Sequence, residues 1–101
     1  MKVVFSIPCL DGSLKADCAL SLFAAHRLLH DAGIPYEVHV ISNCPYLPTA
    51  RNTLVAMFLD DPDATDLFFI DSDVAFDAAG LVRILERPEE IVAGIYPLKR
   101  D

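Results

Sequence analysis

Short apolar runs alternate along this chain with segments whose apolar residues fall at helical spacing. Lys2 to Ile7 is a β-rich run ending in Pro8-Cys9-Leu10-Asp11-Gly12, a turn signal. Ser13 offers an N-cap. Leu14, Cys18, Leu22, Ala25 and Leu29 then recur at helical spacing, predicting a helix from Leu14 to Asp31. Gly33 stops it in the C′ position, and Pro35 follows as expected after a helix end.

Tyr36 to Ile41 reads as a second strand. Ser42 to Pro48 is a loop with two prolines, and Thr49 can cap a helix running to about Asp60, with Leu54, Val55, Phe58 and Leu59 as its apolar face. Asp60 to Asp63 is a turn. Asp66 to Ile70 is a third strand, apolar enough to suggest a central position buried on both faces. Asp77 caps a third helix from Ala78 to Glu86, closed by Pro88, and Ile91 to Ile95 is a fourth strand. The succession β-α-β-α-β-α-β predicts one α/β domain over residues 1–101: a mainly parallel four-stranded sheet in three layers with right-handed crossovers.

Ligands of such sheets bind beyond the carboxyl ends of the strands, near a topological switch point. The polar clusters lie there: Cys9-Leu10-Asp11 after the first strand, Ser42-Asn43 after the second, Asp71-Ser72-Asp73 after the third, and Tyr96 to Lys99 after the fourth. Two carboxylates two residues apart at the end of a buried strand repel each other, and a divalent cation lets both stay ionised. Mn²⁺ and Mg²⁺ favour carboxylate, water and phosphate oxygens, so such an ion would bridge a diphosphate. Arg51, near the start of the second helix, adds a charge suited to phosphate or to the acidic triplet.

Composition narrows the field. The formal net charge of −7 argues against a general nucleic-acid binder, while leaving room for a phosphorylated small molecule held by a cation. A hydrophobic fraction of 53% argues for a packed core, and no apolar run is long enough to span a bilayer. Three cysteines without a C-x-x-C pair argue for reduced thiols in a cytoplasmic protein. His26 and His30 share a helix face but lack the acidic residue of a metalloprotease helix, and His39 reads as structural. Neither a phosphate-binding G-x-x-x-x-G-K-[ST] loop nor a G-x-G-x-x-G fingerprint occurs.

Ala50-Arg51-Asn52, the following helix, and Leu67-Phe68-Phe69-Ile70-Asp71-Ser72-Asp73-Val74-Ala75-Phe76 together resemble the core of GT-A glycosyltransferases, nearest the family-2-like and mannan-polymerase-like groups. Gly94 to Lys99 is similar to the segment after the next strand in those proteins. The resemblance implies a Rossmann-like, partial GT-A fold that binds a UDP- or GDP-sugar for transfer to an unidentified acceptor. It implies Asp73 as chief ligand of Mn²⁺ or Mg²⁺, with Asp71 as second ligand or ribose contact. Pro8, Cys9 and Leu10 would line the base and ribose pocket, Ser42 or Asn43 would lie near the nucleotide, and Arg51 near the triplet or diphosphate. Family members continue for a further half that supplies the acceptor site, so the resemblance is to their donor-binding half, and a fragment, a truncated gene product and a minimal protein that needs a partner are the open expectations. A sheet without that half tends to be paired at its edge, which predicts self-association. A receiver-like phosphoacceptor module and a non-catalytic assembly module of the same fold are the competing expectations.

Overall fold

The computed structural model describes residues 1–44 and 46–86. Within them the chain forms β1 (Val3–Cys9), α1 (Ala16–Asp31), β2 (Tyr36–Ser42), α2 (Leu47–Asp60), β3 (Asp66–Phe69) and α3 (Ala78–Leu85). The expected fourth strand and the Tyr96–Lys99 segment lie outside the described residues. The three strands form one parallel sheet in the order β2-β1-β3.

The central strand is β1, and all seven of its residues are buried. Its odd-numbered residues Val3, Phe5, Ile7 and Cys9 pack with Cys18, Ala25 and Leu29 of α1, Ile70, and Leu81 and Leu85 of α3. Phe5 anchors this core, with its ring centroid 6.0 Å from Tyr36 and 6.1 Å from Phe68. On the opposite face Ala50 and Leu54 of α2 are fully buried, and α2 packs on β1 and β2. Helices therefore cover both faces of the sheet.

Expectation and structure part at several places. Leu14 and Leu59, read on the apolar faces of the first and second helices, are both exposed, and Leu14 precedes the start of α1. The strand read as central, β3, is only half-buried, with Phe69 exposed; Leu67 to Ile70 is the longer unbroken apolar run, but among the described residues β1, interrupted by Ser6, is the strand paired on both sides. Ser13 does not cap α1, because its N–H and hydroxyl both bind the Asp11 carboxylate, and the helix starts after Lys15 with no side-chain cap. Thr49 does not cap α2, which begins two residues earlier at Leu47, with Pro48 in its first turn, where a missing N–H costs nothing. Gly33 ends α1 as expected. At φ +71° its N–H reaches the His30 carbonyl while Ile34 N–H reaches that of Leu29, the paired bonds of a Schellman turn. Asp77 caps α3 through Ala79 N–H.

Proline in a central strand is unusual, and its position here explains why it is tolerated. Ser6 accepts from Ile70 N–H, so the even-numbered residues of β1 address β3. Pairing with β3 ends at Ser6↔Phe69, whereas pairing with β2 continues to Cys9↔Ser42. Pro8 thus faces the side where β3 has already left the ladder, and no bond is lost.

Candidate functional site

The chain steps from β1 to β2 on one side, then to β3 on the other. The topological switch point therefore lies between the carboxyl ends of β1 and β3. Asp71-Ser72-Asp73 follows β3 there. Three contacts fix this turn: Val74 N–H donates to the Asp71 carbonyl at 3.2 Å, Lys15 N–H to the Ser72 carbonyl at 2.9 Å, and Cys18 Sγ lies 3.6 Å from the Asp71 carbonyl. The triplet is thereby held against the start of α1.

Arg51, the fifth residue of α2, reaches the same turn. Its Nη2 is 3.7 Å from Asp71 Oδ1, and its guanidinium carbon is 5.8 Å from the centre of the Phe69 ring. Phe69 and Asp71 are two residues apart at a strand end, which sends both toward the α2 face. Sequence reasoning missed Phe69; that spacing was the available signal. Because α2 begins at Leu47, Arg51 sits one turn in, and its charge acts through the side chain rather than with the helix N-terminus.

The loops after β1 and β2 are tied together. The Cys9 carbonyl accepts from Gly12 N–H at 3.2 Å and from Asn43 N–H at 3.1 Å. Gly12 (φ +78°) and Asn43 (φ +58°) both adopt left-handed backbone. A Cβ on Gly12 would stand 2.8 Å from Asn43 Oδ1, so the close approach of the two loops requires glycine there. Pro8 and Cys9 are buried within β1, and Leu10 is the first exposed residue of this rim; Ser42 and Asn43 are exposed beside it. Asp11 is exposed, and its carboxyl is held below the usual range by the Ser13 hydroxyl and N–H.

Burial pushes the Cys9 thiol up, and the Asp11 charge adds to the shift. Burial likewise raises Cys18, with Cys9, Asp73 and Asp71 contributing. Both thiols stay protonated at neutral pH, which makes them poor nucleophiles and poor metal ligands. Among the described residues no group of three or more His, Cys, Asp or Glu side chains could hold a metal by itself. The donor set at the turn is two carboxylates, hard oxygen ligands that suit an ion completing its shell with water and phosphate. A cationic group, the Arg51 guanidinium, already stands against Asp71. Two carboxylates are too few for an all-protein cage, and one of them, Asp71, is paired with the Arg51 guanidinium. No helix among the described residues is long and apolar enough to cross a membrane.

No family model, no curated protein and no solved structure matches the chain.

Proposed function

We propose that this chain is the donor-binding domain of a metal-dependent glycosyltransferase, holding a UDP- or GDP-sugar at the switch point between β1 and β3 in a partial GT-A fold. The observation that carries this reading is the meeting of Asp71 and Arg51 at 3.7 Å where the β1 and β3 loops diverge. An acidic pair and a guanidinium at one strand end match a cation and a phosphate chain at one site.

In this reading Asp73 and Asp71 hold Mn²⁺ or Mg²⁺, which supplies charge neutralisation for a departing nucleoside diphosphate. Arg51 binds a phosphate oxygen, with the Phe69 ring within cation–π distance of its guanidinium. Leu10, at the end of buried Pro8 and Cys9, together with Ser42 and Asn43, forms the rim that meets the nucleoside. The acceptor would come from outside these residues, and the free thiols suit a reducing cytoplasm.

Calorimetric titration with UDP and GDP, with and without Mn²⁺, tests the reading. Binding should require the ion and should disappear in Asp73→Ala. Diphosphate binding indifferent to both the ion and that substitution would refute it.

A further inference from the structure

Among the described residues β2 is an edge strand. Its odd-numbered neighbours turn their backbone groups toward β1: the Pro35 carbonyl accepts from Val3 N–H, and Asn43 N–H donates to the Cys9 carbonyl. Alternation along a parallel ladder then directs the N–H and C=O groups of Tyr36, Val38, Val40 and Ser42 to the free edge. Val38 pairs with Phe5 and Val40 with Ile7, which puts both on the α1 face. They are nonetheless 43% and 45% exposed. The strand is seven residues long and holds no Pro or Lys, and its one acidic residue, Glu37, lies on the α2 face, opposite the face of Val38 and Val40. Above it, the His26 ring of α1 packs against Tyr36, and Phe23, one turn earlier on the same side of the helix, is 68% exposed.

We propose that this edge docks a second copy of the chain, β2 pairing antiparallel with its counterpart about a two-fold axis through Val38. Antiparallel hydrogen-bonded pairs must join residues that both present free backbone groups, here the even-numbered ones. The register centred on Val38 sets Val38 against itself, Tyr36 against Val40, and Glu37 against His39. Sliding one strand by two residues would instead set Glu37 against Glu37, or His39 against His39. Like groups facing each other disfavour both alternatives. Val38, Val40, Tyr36 and Phe23 then form one apolar strip across the axis, and the two three-stranded sheets become continuous. This inference is independent of the sugar-nucleotide reading.

Sedimentation equilibrium of the full chain, from micromolar to submillimolar concentration, should show a monomer–dimer equilibrium. Val38→Lys places two ammonium groups face to face on the axis and should weaken the dimer by about tenfold or more. Its circular dichroism should be unchanged, since Val38 is exposed. The register is tested in a Cys44→Ser background oxidised with diamide. Val38→Cys brings two α-carbons to about 5.5 Å, within disulfide reach, whereas Val40→Cys leaves them about 14 Å apart. Val38→Cys should cross-link and Val40→Cys should not. A strict monomer, an equilibrium indifferent to Val38→Lys, or equal cross-linking at both positions would overturn the proposal.

Discussion

The two ends of the sheet handle charge in opposite ways. At the amino end the Lys2 ammonium lies 2.5 Å from Asp61 and 2.8 Å from Glu37, and Glu37 also meets His39 at 3.0 Å. The Lys2 backbone joins the same knot: its N–H donates to Thr65 Oγ1, and its carbonyl accepts from Thr65 and Asp66 N–H. One residue thereby ties β1 to β2 and to the turn before β3. At the carboxyl end the Arg51–Asp71 pair spans 3.7 Å, with both side chains about half exposed. The difference separates charges that serve the fold from charges left accessible to a ligand. Substitutions at the first end should change stability, and substitutions at the second should change binding.

The largest expected effect is on binding. On the proposed function, Asp71→Asn would remove one of two anionic ligands and should weaken Mn²⁺-dependent diphosphate binding by about a hundredfold, with the urea midpoint unmoved. A stability loss matching the binding loss would erase the contrast between the ends. Gly12→Ala comes next. It combines left-handed backbone with a Cβ placed 2.8 Å from Asn43 Oδ1, and should cost about 1–3 kcal/mol in urea unfolding. Gly33→Ala has the same sign of φ with nothing within 4 Å, so it should cost less, about 1 kcal/mol.

The amino-terminal knot should appear in the pH dependence. Asp61 first, then Glu37, holds the Lys2 ammonium well above its ordinary range. Lys2 in turn holds both carboxyls below theirs. The folded carboxyls bind protons less readily than the unfolded ones. Their contribution is therefore complete above the ordinary carboxylate pKa of about 4 and is lost as pH falls through the folded values. The Lys2 contribution is complete below about pH 10 and is lost only as pH rises through its raised value. Thermal midpoints should stay level between these limits and fall on acidification, and Lys2→Met should lower the plateau and shrink the acid drop. The smallest effect is expected for Arg51→Met, which keeps a side chain over Phe69 while removing an exposed pair. Its stability change should stay within about 0.5 kcal/mol, although diphosphate affinity should fall clearly.

Periodicity and turn chemistry made most of the layered fold legible, since Gly33, Asp77 and the Cys18, Ala25 and Leu29 positions of α1 act as their residue types suggest, although Leu14 of the same pattern lies outside the helix and is exposed. Helix starts were less legible. Ser13 has a competing partner in Asp11, and Pro48 signals a loop as readily as a first helical turn. Strand order was hidden too, because an apolar run such as Leu67 to Ile70 records burial without naming its neighbours. At the site, the position of the acidic triplet after a strand could be read directly. The underside of Arg51 could not, because its contact with Phe69 joins two elements whose relative placement only the folded sheet defines. The Lys2 knot was invisible for the same reason, with partners 35 and 59 positions away in sequence.

The unequal ladders of β1, seven rungs toward β2 and four toward β3 among the described residues, predict a firmer and a looser half of the sheet. Amide hydrogen exchange should register this as slow exchange along the β1–β2 seam and earlier opening where β3 departs beside Pro8. A molecule that clasps the turn after β3 would then slow proton exchange furthest from the permanent seam, so occupancy could be read from backbone amides alone.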